Sequence, residues 1–233
     1  MKINTLLTES VDLCRRHPLI LVPMLAPAIV YLLVSLVAVD PMASVSGSLG
    51  SLGSAFGLML FTTMVNVLVT LIAQGMTVLM AQEALESGAT SLVSGWQRVL
   101  VRIVPLAITT VIVALILGFG FALFLLPGLV AALFLAFVVP EVLVGEKSPL
   151  QAITGSVRLV TANFSSVVII FLVLLALAVV LGIVNLILGL IPFVGWLLSM
   201  VLGAAFTGFT GVLVLQVYRE IASGAAPPDV EAT

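Results

Sequence analysis

The chain has 233 residues, 62% of them hydrophobic and 8% charged, with a net charge of −2 and a mean hydropathy of +1.40. A soluble domain carries roughly a quarter charged residues, so this chain has too little polar surface to coat a water-soluble globule and is read as a bilayer protein. The absence of a basic cluster interleaved with aromatics excludes nucleic acid as a partner, and the single cysteine, Cys14, excludes an internal disulfide.

A hydrocarbon core about 30 Å thick takes about 20 helical residues. Six runs reach that length: 19–39, 55–81, 103–126, 128–145, 166–189 and 193–217. The first is too long for a signal-peptide core and lacks a small-residue cleavage site, so it is read as a retained span. The connection after it, Asp40 to Ser54 (DPMASVSGSLGSLGS), is rich in Gly and Ser and is expected to be a flexible loop. The third and fourth runs meet at Leu126-Pro127-Gly128, and the fifth and sixth at Ile191-Pro192-Phe193-Val194-Gly195; both are expected to be tight turns. Residues 225–233 form a short polar tail, expected to be disordered. The Lys and Arg residues are Lys2, Arg15, Arg16, Arg98, Arg102, Lys147, Arg158 and Arg219. With both termini cytoplasmic, all of them fall on or beside that leaflet, as the positive-inside bias requires.

Ahead of each pair of runs the apolar residues recur at steps of three and four: Ile3, Leu7, Val11 and Cys14; Leu92, Trp96, Val99 and Ile103; Leu150, Ile153, Val157 and Val160. Each set is expected to lie on one apolar helix face, with Asp12, Arg15, Arg16, Arg98, Arg102, Gln151 and Arg158 on the others. Ser148-Pro149 supplies a helix N-cap and first residue for the last of these segments. Each pair of runs also closes alike, with Glu83, Glu141 or Glu220 followed by a glycine. The expected fold class is therefore all-α integral membrane: six transmembrane helices arranged as three tandem units of amphipathic interfacial helix plus membrane hairpin, both termini cytoplasmic. The units run approximately 1–88, 89–146 and 147–224 within a single domain, 1–224. The three glutamates are cytoplasmic acidic positions, read either as part of a charged ring or as simple anchors solvated at the headgroups.

Within the second run, Thr63, Asn66, Thr70, Gln74 and Thr77 form a polar stripe at steps of three and four. In hydrocarbon such groups need partners, so the stripe is a candidate intramembrane polar site, either the wall of a hydrated cavity or a seam of interhelical hydrogen bonds. Gly203, Thr207 and Gly211, and Gly182, Asn185 and Gly189, are lines of small residues that would let helices pack closely. Chemistry-bearing patterns are sparse. Cys14 and His17 sit one turn apart, yet no further Cys or His completes a metal site or an oriented nucleophile. No catalytic, metal or cofactor residues are assigned, and no cofactor is expected.

The stretch LPGLVAALFLAFVVPEVLVGEKSPLQAITGSVRLVTANF resembles a six-helix membrane domain family found fused to bacterial glycerophosphodiester phosphodiesterases and also as free-standing membrane proteins. The likeness is carried by Leu126-Pro127-Gly128, Pro140-Glu141, Gly145-Glu146-Lys147-Ser148-Pro149, Ala152 with Ser156, and Asn163-Phe164, with RRHPLILVP similar to the start of that family's first span. It implies a membrane module acting on or near phospholipid, without the phosphodiesterase activity, which belongs to a separate soluble barrel. The expected function is a non-enzymatic, lipid-associated scaffold or accessory protein of the cytoplasmic membrane. Arg15, Arg16, Arg98, Arg102 and Arg158 are its candidate headgroup contacts, with membrane phospholipid as partner and a protein docked at the cytoplasmic face as the other candidate. The alternative is a small transporter or channel that uses the polar stripe.

Overall fold

The computed structural model describes residues 3–30, 32–33, 49–191 and 193–224, and every regular element among them is a helix. Helix α1 is Ile3–Arg16. It stops at His17, where the chain turns through 87° into a 3-10 segment, Pro18–Met24, that continues as helix over 25–30. Pro18 suits this start because its missing N–H would have had no partner in the first turn. The long helix α2, Leu49–Ser87, follows. Next come α3 (Leu92–Val101), α4 (Ile103–Leu123), α5 (Leu125–Phe134), α6 (Val138–Leu143), α7 (Pro149–Ala162), α8 (Phe164–Leu188) and α9 (Val194–Gly224).

Five stretches are long and apolar enough to cross a membrane: Val65–Ser87, Ile103–Leu123, Leu125–Leu143, Phe164–Leu188 and Val194–Ser223; the bent pair at His17 is a sixth if it counts as one span. Of the expected first run, 31 and 34–39 lie outside the described residues, as do 40–48 of the connection, Pro192 of the second expected turn, Lys2 and the tail 225–233. Residues 49–54 of that connection are helix rather than loop. Glycine weakens a helix by about 1 kcal/mol, but extending an existing helix is far easier than starting one, and backbone near hydrocarbon must close its own hydrogen bonds.

Burial is uneven along the spans. The charged end, built from 71–84, 133–143, 152–170 and 204–221, holds the packed core around Met80, Val99, Val142, Val160, Val212 and Leu215. Toward the opposite end α4 and α8 leave large apolar side chains such as Leu115, Phe119, Val179 and Leu186 exposed, the surface hydrocarbon would cover.

The two tight turns form with shifted geometry. Phe124 alone, in extended conformation, separates α4 from α5. Leu126-Pro127-Gly128 is already the first turn of α5, where proline's missing N–H has no intrahelical acceptor to satisfy. Gly120 and Gly128 let the hairpin close, since a Cβ on Gly120 would lie 3.1 Å from Gly128 Cα. At the other turn a Cβ on Gly195 would overlap the Leu188 carbonyl. The expected small-residue lines are only partly used. Gly182 and Gly203 face open space, whereas Gly211 meets Thr77; Gly208, which belongs to neither line, meets Leu21.

The largest departure concerns the short helices. The buried positions of α1 are Leu6, Ser10 and Leu13, and those of α7 are Ala152, Ser156 and Val160; α3 buries Gly95 and Val99. The apolar faces read from the sequence are divided: Val99 and Val160 are buried and Leu7, Cys14, Ile103 and Ile153 pack against the core, whereas Val11, Leu92, Trp96, Leu150 and Val157 are exposed. A helix at a membrane surface has two apolar neighbours, and here small and hydroxyl residues share the protein side with Leu6, Leu13, Val99 and Val160 while other large side chains remain outside. In α1 the protein contact is sealed by Ser10 Oγ, which donates to Gln216 Oε1 of α9 at 2.7 Å, both side chains buried.

Candidate functional site

A cleft of about 940 Å³ opens at the charged end between α7, the α6–α7 turn and the end of α9. Its acidic and basic lining residues are Glu141, Lys147 and Arg158, joined by Gln151, Thr154, Asn163 and Tyr218. Each arrives for a local reason. Pro140 and Glu141 lie in α6, which restarts the fourth span after a break at residues 135–137. Ser156 of α7 repairs that break by donating to the Phe134 carbonyl at 2.7 Å and accepting from the Phe137 N–H at 3.1 Å. The repair holds α7 against α6.

Beyond α6 the chain reverses sharply. Glu146 takes φ +52°, a left-handed conformation that costs a non-glycine residue about 1–2 kcal/mol, and the Lys147 N–H returns to the Glu141 carbonyl at 3.1 Å. Arg102, at the junction of α3 and α4, clamps this turn by pairing with the Glu146 carboxylate at 2.5 Å and donating to its carbonyl at 3.3 Å. The reversal brings Lys147 Nζ to 2.5 Å from Glu141 Oε2. That carboxylate is 1% exposed while the lysine side chain keeps 40% of its surface. The pair is held by charge at close range, a buried carboxylate against a half-exposed ammonium. The Tyr218 hydroxyl of α9 faces the same carboxylate.

Two glycines make room for this pair. A Cβ on Gly155 would stand 2.7 Å from Glu141 Oε1, and one on Gly145 would stand 3.1 Å from Oε2 and 2.9 Å from the Tyr218 oxygen. Glu141 is therefore not solvated at the headgroups, as the sequence suggested. It is the floor of the cleft, buried beneath a lysine, because helix packing on three sides closes over it. The other two glutamates have different settings: Glu83 accepts from Ser94 Oγ at 2.6 Å, and Glu220 is exposed.

The remaining candidates divide as follows. Arg15, Arg16, Arg98 and Arg158 are exposed on α1, α3 and α7, whereas Arg102 is engaged with Glu146. In the polar stripe of α2, Thr63 is exposed, Asn66 Nδ2 donates to the Pro27 carbonyl at 3.3 Å, and buried Thr77 Oγ1 donates to the Ile20 carbonyl at 3.2 Å. Thr70 Oγ1 lies 3.5 Å from Asn66 Oδ1. Asn66 and Thr77 thus hold α2 to the segment after His17, where prolines at 18, 23 and 27 withhold N–H donors. Gln74 lines a small cavity of about 160 Å³ together with Met24, Thr207 and Thr210. Asn66→Leu is expected to cost about 1 kcal/mol or less, the usual size of an intramembrane hydrogen bond, read as a small drop in unfolding temperature of the detergent-solubilised protein.

Sequence reasoning missed Lys147, Gly155, Asn163 and Tyr218 as members of one site. Only the Glu141–Lys147 separation carried a signal, and six residues across a glycine match no helical pairing rule.

The model of one family, described as a domain of unknown function (DUF7847), matches residues 1–225. The chain belongs to this family. The DUF7847 match covers all the described helices and the cleft, and neither curated proteins nor solved structures show a match.

Proposed function

We propose that this DUF7847 protein is a non-enzymatic, lipid-associated component of the cytoplasmic membrane, with both termini cytoplasmic and three tandem units of surface helix plus hairpin. One observation carries the reading: α1, α3 and α7 each expose arginine together with large apolar side chains. Arg15 and Arg16 accompany Val11, Arg98 accompanies Val93 and Trp96, and Arg158 accompanies Leu150 and Val157. Surfaces of this kind bury apolar groups at the acyl boundary while each cation gains about 1 kcal/mol near an anionic leaflet. Clustering of the basic residues at one end supports the orientation.

The combined Arg15→Ala, Arg16→Ala and Arg98→Ala variant is expected to retain several-fold less anionic phospholipid on purification in a mild non-ionic detergent. An unchanged amount and class of lipid by mass spectrometry would remove the basis for the proposal. The transporter alternative draws on the Gln74 cavity. Flux into liposomes that disappears in Gln74→Leu would favour it.

A further inference from the structure

We propose that the cleft floored by Glu141 and Lys147 is a binding site for a singly charged phosphodiester, with Lys147 and Arg158 as the groups that meet the phosphate. The inference rests on the lipid-associated reading and adds to it a defined pocket and ligand chemistry.

Charge comes first. The lining carries one carboxylate side chain, paired with Lys147, and two basic side chains, so by formal charge one basic group has no carboxylate to match it. A phosphodiester monoanion neutralises it; a phosphomonoester near neutral pH would overshoot. Glu141 is buried and fixed, so it serves to hold Lys147 in place. An ammonium has three donors, and the lysine side chain remains 40% exposed, so donors remain for a ligand. Arg158 lines the cleft, is exposed and makes no ion pair among the described residues. Its planar fork suits two phosphate oxygens. Gln151, Thr154 and Asn163 add neutral polar groups around these cations.

The place and size agree. About 940 Å³ lies within the range of small-molecule pockets and leaves room for glycerol beside the phosphate. Leu159, Ala162 and Ala222 form the apolar part of the lining. The cleft ends at Asn163, where α8 begins its course across the membrane, and Phe164, Ile169 and Leu172 of that helix are exposed apolar residues along which acyl chains could run. The same phosphodiester could belong to a membrane lipid or to a soluble glycerophosphodiester.

The test uses the full chain in a neutral maltoside detergent and calorimetric titration with four probes: dihexanoyl phosphatidylglycerol, glycerophosphoglycerol, neutral dihexanoylglycerol and inorganic phosphate. The first is expected to bind, and Arg158→Gln to weaken it at least tenfold. Thr154→Trp should weaken it similarly by filling the cleft. Thr154 Oγ1 bonds only within its own helix, to the Leu150 and Gln151 carbonyls, so this change removes no tertiary hydrogen bond. Tighter binding of the lipid than of glycerophosphoglycerol assigns the site to lipid, and equal binding assigns it to the soluble diester; both support a phosphodiester site. Wild-type affinity in both variants overturns the proposal, as does equal affinity for neutral dihexanoylglycerol or for inorganic phosphate. If the arginine variant of α1 and α3 still sheds phospholipid while these cleft variants bind normally, the cleft is wrong and the lipid-associated reading stands.

Discussion

Lys147→Met lowers the stability of this protein by about 2–3 kcal/mol, and Glu141→Gln in the same chain restores most of the loss. Removing one partner of a buried ion pair costs about 3–5 kcal/mol because the surviving charge is left without compensation. The lower value is expected here because the lysine side chain is 40% exposed, although the carboxylate it covers is only 1% exposed. With glutamine at 141 there is no charge to strand, and the amide occupies the space that Gly145 and Gly155 leave open. Thermal unfolding of the two single variants and the double variant forms a cycle whose coupling energy isolates the pair. A double variant no more stable than Lys147→Met would show that the deficit comes from lost packing of the lysine stem.

Ser156→Ala is the second large effect, at about 2–4 kcal/mol. One hydroxyl serves both sides of the interrupted fourth span, giving a hydrogen to the Phe134 carbonyl and taking one from the Phe137 N–H. Alanine strands two backbone groups beside a fully buried position, and each unsatisfied buried group costs about 1–3 kcal/mol. Thr161→Ala is the control, since its exposed hydroxyl bonds only the Val157 carbonyl one turn back in α7; surface changes of that kind stay within about 0.5 kcal/mol. Hydrogen exchange at the Phe137 amide should quicken in Ser156→Ala and not in Thr161→Ala. Equal stability of the two variants would mean that the break is satisfied by other groups.

These two positions show how far the chain could be read from its residues. Ser156 stood out only as one of a pair of small residues on a helix before a span, with no hint that the span it faces is interrupted. No Gly or Pro marks the break itself: residues 135–137 read Leu-Ala-Phe, and Pro140 follows three residues later. Glu141 was singled out by its proline and its place at the end of an oily run. Its burial was not legible, because it depends on Gly155 of α7 and Tyr218 of α9 meeting over it. The stripe from Asn66 to Thr77 was legible as a face that needs partners; that its partners are the Pro27 and Ile20 carbonyls follows from how the segment after His17 folds back.

The residues alone determined the medium, the helical class, most of the spans and the end at which charge collects, because hydropathy, run length and cation placement are local quantities that a bilayer reads one segment at a time. The tertiary structure decided which side of each short helix meets protein and which carboxylate is buried. Helical periodicity shows which side chains share a face, but lipid and protein interior are both apolar, so hydrophobicity cannot distinguish them. Ser10, Gly155 and Ser156 take the protein side beside Leu6, Leu13, Val99 and Val160, where their small size lets backbones approach and the two serine hydroxyls match polar groups.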